Sequence, residues 1–277
     1  MSRSLVYPNR VPQRVPATKE GETLRSCWAA TLGGCGTKLS REHLVSAVLW
    51  TGPTVIVSGL PWCKDAPKTV GVESITARIL CRDHNSALSD TDSAAGDAFE
   101  TLKKAATLSD KRSKERPRKW KVVRYEIDGR RLERWFLKTL INIVVSQQAK
   151  GTCWALSGSA LDQPPDVLVR AAFGREPLVK PMGLYAIGAV GETVSHVDGV
   201  ELATLLRPAD NALVGGLFTF LGHRFLLYVD TVPVPPSLPL PSGQGWLTSD
   251  ALYHLGKING TVGGKLSHYT HILWNLE

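Results

Sequence analysis

Long apolar runs are missing from this sequence. No segment approaches the ~20 consecutive apolar residues that a membrane-spanning helix needs, and the two most apolar stretches, 137–145 and 212–222, are short and flanked by polar residues. The first 21 residues contain three prolines and four basic residues but no continuous apolar core, so no signal peptide is predicted. We therefore expect a cytoplasmic protein that makes no membrane contact.

Cysteine is also scarce, and the composition has no extreme bias. Five cysteines among 277 residues are an odd number, and in a reducing compartment metal binding is a better use for a cysteine cluster than disulfides. The 43% hydrophobic and 21% charged residues exclude wholesale disorder, collagen-like repeats and a coiled coil. The 33 Lys and Arg against 25 Asp and Glu give a net charge of +8, which favours anionic partners, nucleic acid first.

Shifts in composition divide the sequence into four predicted regions. An extended arm rich in Pro and Arg (1–22) precedes a Cys-rich region (23–108), a basic linker (109–124) and a C-terminal region (125–277) to which no role is assigned. The linker is either a solvated connection or a contact for nucleic-acid phosphates, because basic side chains neutralise phosphate whatever the bases. Its candidate phosphate contacts are Lys111, Arg112, Lys114, Arg116, Arg118 and Lys119.

The predicted fold class is α+β. Helices are predicted at 41–50 and 89–107, with a long loop containing short strands between them at 51–80. Helical spacing of apolar residues predicts one long amphipathic helix over Gly129–Gln148. The β-like runs that follow predict a mostly antiparallel sheet packed on that helix: 167–172, 183–190, 212–221, 225–229 and 272–274.

The cysteines show the spacing of a metal site. Cys81 and His84, at the start of a predicted helix, present a thiolate and an imidazole as in a zinc knuckle, and Cys35, followed by glycine, suits the other half. A closed structural zinc site needs a fourth ligand, which is Cys27 or Cys63. Cys27 is favoured because glycines loosen the turn before Cys35. The alternative is that these cysteines are small buried apolar residues.

A second group of residues suits phosphodiester chemistry. Glu42 and the Asn85 amide offer hard oxygen ligands of the kind that Mg²⁺ or Mn²⁺ prefers. His43 can then accept a proton from the attacking water as a general base. Asp90 and Asp92, which follow Asn85 in the next predicted helix, could add oxygen ligands or could simply favour the helix N-terminus.

These two groups together carry a family resemblance. The sequence from about residue 27 to 95 resembles the HNH endonuclease fold, the ββα-metal or treble-clef group, through Leu-Ser-Arg-Glu-His-Leu-Val at 39–45 and Leu-Cys-Arg-Asp-His-Asn-Ser at 80–86. The resemblance implies a ββα module with a structural zinc. It also implies roles for His43 as the general base, for Glu42 and Asn85 as ligands of the catalytic ion, and for Cys35, Cys81 and His84 as zinc ligands.

The expected activity is therefore metal-dependent hydrolysis of phosphodiester bonds in nucleic acid, with DNA favoured over RNA. Arg41 is a candidate contact for the scissile phosphate, since a guanidinium matches phosphate geometry. One HNH module nicks one strand, so double-strand cutting would need a homodimer or an activating protein partner. Nucleases joined to a region of unknown role often act in bacterial or phage defence, and we expect the same here by analogy alone. The alternative is a non-catalytic, zinc-stabilised protein that binds nucleic acid or acts as an adaptor.

Overall fold

The computed structural model is a mixed α+β protein. It describes residues 26–50, 52–57, 66–115, 120–148, 155–159, 163–188, 200–234, 237–239, 245–247 and 251–275. The helices are α1 (Arg82–Ala87), α2 (Ser89–Ser113), α3 (Gly129–Gln148) and α4 (Asp166–Ala172). The strands are β1 (Leu39–His43), β2 (Thr54–Val57), β3 (Lys68–Gly71), β4 (Thr76–Cys81), β5 (Val123–Asp128), β6 (Gly183–Ile187), β7 (Val200–Leu206), β8 (Leu213–Phe220), β9 (His223–Tyr228), β10 (Ser237–Pro239), β11 (Gly245–Leu247), β12 (Ala251–Tyr253), β13 (Lys257–Val262) and β14 (Lys265–Leu273).

The N-terminal part contains two paired strands followed at once by a helix. β1 and β4 form an antiparallel ladder in which Leu39 pairs with Cys81 and His43 pairs with Thr76. The chain then enters α1 directly from the last residue of β4. The β2–β3 hairpin lies in the connection between the two strands. The β1–β4 ladder and α1 are called the ββα unit below.

The C-terminal part contains most of the β-strands, as predicted. Five antiparallel strands lie in the order β12-β6-β9-β8-β7, and a second sheet has the order β13-β14-β5 with β14 and β5 parallel. The predicted long helix is α3, which buries Leu132, Trp135, Phe136 and Leu140 completely. The mixed α+β class and the mostly antiparallel sheets are confirmed.

Both parts of the chain contribute to one hydrophobic cluster. Trp28, Leu80 and Leu102 come from before the predicted linker, while Phe136 and Phe218 come from after it. α3 contacts β4 and α2 on the N-terminal side and β9 and α4 on the C-terminal side. The ββα unit is therefore packed directly against α3, and side chains of α3 reach its strands.

Two local predictions were wrong. The helix predicted at 41–50 is instead the end of β1 and a 3₁₀ turn at Ala47–Leu49, because the backbone of this segment pairs with β4. The strand predicted at 167–172 is the helix α4, which Pro165 precedes and Asp166 opens, two residues that suit a helix start. A short apolar run fits a strand or a buried helix equally well, so its periodicity could not decide between them.

The boundary of the basic linker also differs from the prediction. α2 does not end at residue 107 but continues to Ser113, so the first residues of the predicted linker are helical.

Within the described segments, every helix is too short or too polar to span a bilayer.

Candidate functional site

Four side chains that could hold a metal ion converge beside the start of α1. Their ligand atoms, three Sγ atoms and one Nδ1, all lie within 4.8 Å of one another. The distances from His84 Nδ1 to Sγ of Cys27, Cys35 and Cys81 are 3.4, 3.7 and 3.2 Å. Tetrahedral zinc with bonds of about 2.3 Å to sulfur and 2.0 Å to nitrogen requires a sulfur–nitrogen distance of about 3.6 Å. The group therefore fits a metal ion such as zinc.

Local backbone structure places these ligands. Cys81 is the last residue of β4 and the N-cap of α1, so its Sγ accepts a hydrogen bond from the His84 N–H at 3.4 Å. Cys27 is placed against β4 by the Trp28 N–H, which donates to the Ile79 carbonyl at 3.0 Å. The Cys81 N–H then donates to Cys27 Sγ at 3.3 Å. Hydrogen bonds from backbone N–H groups favour the thiolate form that a metal needs.

The electrostatics of this group also suit a cation. Burial raises the pKa of the Cys27 thiol, and the nearby Cys81 and Cys35 raise it further, because adjacent thiolates repel one another. Burial and the Arg175 charge lower the pKa of His84, which keeps its imidazole in the neutral form that binds metal. A bound divalent cation would offset the repulsion among the thiolates. The predicted zinc set is thus brought together, and its predicted alternative, Cys63, lies outside the described residues.

The predicted base lies at the end of β1. His43 has 27% of its side chain exposed, and its Nε2 is 3.8 Å from Glu73 Oε1. Nε2 has no hydrogen-bond partner among the described residues. Asn85 of α1 lies against the same strand, and its Nδ2 donates a hydrogen bond to the Arg41 carbonyl at 3.5 Å. His43 thus lies at the end of β1 and Asn85 lies beside it, both with partly exposed side chains, although the His43 Nε2 atom itself is shielded from solvent.

Glu42, directly before His43, has a different environment. Its side chain is buried, and its Oε1 lies 2.6 Å from Lys138 Nζ and accepts from Asn142 Nδ2 at 3.2 Å. The same ammonium lies 2.6 and 2.7 Å from the two carboxylate oxygens of Asp92. Burial raises the pKa of Glu42, while the Lys138 charge opposes that rise. This arrangement does not fit the predicted role of Glu42 as a ligand of Mg²⁺ or Mn²⁺, because an ammonium ion already occupies its carboxylate.

Two side chains of α3 were missed by the sequence analysis. Asn142 accepts from Trp28 Nε1 at 3.0 Å and donates from Nδ2 to the His43 carbonyl at 3.3 Å as well as to Glu42. Lys138 is almost completely buried, at 2% exposure. The signal was present in the sequence, since polar residues four apart on the apolar face of an amphipathic helix need buried partners.

Hydrogen bonds also position the Asp92 carboxylate, at the other end of this network. Ser46, just after β1, donates from its Oγ to Asp92 Oδ1. Trp135 of α3 donates from Nε1 to the same Ser46 Oγ at 2.7 Å. The Asp92 carboxylate of α2 is therefore held by the segment just after β1, through Ser46, and by α3, through Lys138.

The predicted phosphate contacts have mixed environments. Arg41 is exposed, but it donates to the Thr76 hydroxyl at 3.2 Å and the Glu73 carbonyl at 2.9 Å. Arg112 donates to the Ser267 and Lys121 carbonyls and lies over the Trp120 ring, so it joins α2 to the sheet. Lys111 and Lys114 are exposed on the last turns of α2 and just beyond it. Arg116, Arg118 and Lys119 lie outside the described residues.

Comparison of the chain with family models, with curated proteins and with solved structures finds no match. The functional interpretation therefore depends on the geometry of three features: the Cys₃His group, the imidazole of His43 and the buried Glu42–Lys138–Asp92 network.

Proposed function

We propose that this chain is a zinc-stabilised nuclease of the HNH type, which hydrolyses phosphodiester bonds in nucleic acid. The observation that carries the proposal is the His43 imidazole at the edge of the ββα unit. Its Nε2 is shielded from solvent and has no hydrogen-bond partner within the described structure, so it keeps its capacity to accept a proton from a water molecule that enters beside it.

In this proposal the metal at Cys27, Cys35, Cys81 and His84 is a structural zinc. Four protein ligands close the tetrahedral coordination sphere and leave no position for water or substrate. Zinc bound there would join the segment before β1 to the junction of β4 and α1. The zinc would thereby hold in place the ladder that carries His43.

The remaining steps use side chains of the same unit. His43 takes the proton of the attacking water as its oxygen bonds to phosphorus, the ester bond from phosphorus to the leaving oxygen breaks, and the leaving oxygen takes a proton from solvent. Asn85 offers an amide oxygen beside the same strand. We assign no step to a divalent ion at Glu42, because its carboxylate is paired with Lys138. The net charge of +8 and the exposed Lys111 and Lys114 support nucleic acid as the substrate, with DNA favoured.

A second candidate function is a non-catalytic protein that binds nucleic acid through a zinc-stabilised ββα unit. The ion pair between Glu42 and Lys138 favours this candidate, because a single-metal nuclease needs a free carboxylate for its ion. The two candidates share the fold and the partner. They differ in whether His43 is needed for anything beyond binding.

Plasmid nicking by the full-length, zinc-loaded chain tests the proposal. We would compare wild type, H43A and the matched control H271A, whose histidine lies on β14 in the second sheet, each with and without Mg²⁺, Mn²⁺ or EDTA. Nicked circles from wild type and H271A, but not from H43A with equal DNA affinity, support the nuclease. Nicking by H43A at the wild-type rate contradicts it. DNA binding without nicking in every sample supports the second candidate.

A further inference from the structure

We infer that the Lys138 ammonium takes the position that a divalent cation would occupy between Glu42 and Asp92, so that the native chain forms no Mg²⁺ or Mn²⁺ site at these carboxylates. This inference concerns ion binding alone. It holds whether or not the chain cleaves nucleic acid.

The geometry is that of a cation held by converging oxygens. Carboxylates from two elements, Glu42 of β1 and Asp92 of α2, meet at one nitrogen, with three oxygen–nitrogen distances of 2.6, 2.6 and 2.7 Å. Oxygen ligands from separate elements that converge on one point are the pattern of a Mg²⁺ or Ca²⁺ site. Here the point is the nitrogen atom of a side chain from α3.

The charges nearly balance without an added ion. The two carboxylates face one ammonium, and the remaining negative charge is met by donors: Asn142 Nδ2 to Glu42 and the Ser46 hydroxyl to Asp92. The titratable groups that meet here from β1, α2 and α3 are Glu42, Asp92 and Lys138. A buried charge is stable only when it is paired and hydrogen-bonded, and this network meets both requirements.

A divalent ion and the ammonium exclude each other. Two cations a few ångströms apart in a buried site repel strongly, because the surroundings screen them poorly. Mg²⁺ also keeps several water molecules, and Lys138 is 2% exposed. The ion could enter only if the lysine left the network, which would leave an unpaired ammonium in the core.

Manganese binding to the wild-type chain is the first test. Mn²⁺ would be titrated into zinc-loaded full-length protein, with bound ion followed by electron paramagnetic resonance, in parallel with E42Q. We expect the two proteins to bind Mn²⁺ alike, since surface sites are common to both. A Mn²⁺ site in wild type that E42Q loses would overturn the inference.

The second test removes the ammonium. K138M keeps a long side chain but leaves the two carboxylates without a cation, so Mn²⁺ should raise its melting temperature by roughly 5 °C or more at saturation. The same addition should leave wild type and the triple variant K138M/E42Q/D92N unchanged. A folded K138M that does not respond to Mn²⁺ would contradict the inference. If K138M does not fold, the wild-type comparison decides alone.

Plasmid nicking is scored separately from these measurements. Absence of nicking would overturn the proposed nuclease but would leave the manganese results as they stand. Nicking that needs Mn²⁺ in wild type, together with a bound ion that E42Q removes, would instead overturn the inference and support the nuclease.

Discussion

The Cys₃His group and the Glu42–Lys138–Asp92 network are two buried polar centres that stabilise the same ββα unit in different ways. In the first, four side chains converge that could hold a metal ion, and a bound cation would offset the repulsion among their thiolates. In the second, hard oxygen ligands converge and the chain supplies its own cation. Cys81 and His84 are three residues apart, whereas Glu42 and Asn142 are 100 apart. The first centre, with a metal bound, would hold the unit together, and the second connects the unit to α3.

Loss of a metal bound at the Cys₃His group should reduce the stability of the fold more than any other change to either centre. Apparent binding free energies of structural zinc sites are about 10–16 kcal/mol, and this free energy is folding free energy. We expect C81S to lose zinc and its cooperative melting transition, measured by metal analysis and circular dichroism. S86A, on the exposed side of α1, is the matched control. Wild-type melting in C81S, or in wild type after chelation, would show that no structural metal is present.

Removal of Lys138 should have the next largest effect. Breaking a buried ion pair from one side costs about 3–5 kcal/mol, because the remaining charge is left buried and unpaired. We expect K138M to lose this much of its free energy of unfolding in urea. K104M, which changes an exposed lysine of α2, should change it little. Equal stabilities for K138M and K104M would mean that the ammonium is not a structural cation.

The pH dependence of K138M should distinguish charge from packing. Burial raises the pKa of Glu42 and Lys138 opposes that rise, so removal of Lys138 should raise the pKa of Glu42 further. A carboxyl with a higher pKa in the folded state binds its proton more tightly there than in the unfolded chain. Protonation of that carboxyl therefore stabilises the folded state at low pH, and this stabilisation is lost as the pH rises. The stability gap between K138M and wild type should therefore narrow as the pH is lowered from neutrality, since protonation of Glu42 stabilises folded K138M more than folded wild type. A constant gap would indicate lost packing instead.

Substitution of Asn142 tests whether this residue belongs to the same stabilising network as Lys138. Its removal leaves Trp28 Nε1 without an acceptor and Glu42 with one donor fewer, at a cost of about 1–3 kcal/mol. N142A should therefore be destabilised less than K138M in urea unfolding followed by tryptophan fluorescence. N259A, on exposed β13, serves as the control. A loss as large as that of K138M would place the two residues in one cooperative unit.

The sequence indicated one half of the first centre because the Cys81–His84 pair is local, whereas Cys27 and Cys35 lie 57 and 49 residues before His84 and were proposed from the number of ligands that a zinc site needs and from the cysteine pattern. A cysteine that caps a helix places its thiol one turn from His84, and the chain order of the ligands then follows from the ββα unit. The limits of α3 were also predicted, since its apolar spacing reflects burial over many residues. The Cys81–His84 pair and the limits of α3 both depend on neighbours in sequence.

The second centre could not be predicted in the same way. Residues 41–50 were interpreted as helix because nothing within that segment indicates its partner β4, which begins after residue 75. Glu42 was interpreted as a free ligand because nothing near it in sequence indicates that α3 covers it. The polar pair Lys138 and Asn142 on the apolar face of α3 was the available signal of a buried partner, but the sequence analysis did not use it, and the pair alone does not identify Glu42.

His43 should contribute least to stability, although it follows Glu42 directly. Its Nε2 makes no hydrogen bond within the described structure, and its side chain is partly exposed, so H43A should change the free energy of unfolding by less than about 1 kcal/mol. Urea unfolding beside H271A checks this. A small change together with lost nicking assigns His43 to chemistry rather than folding. A loss as large as that of K138M would instead place His43 in the buried network, and the contrast between neighbouring residues of β1 would disappear.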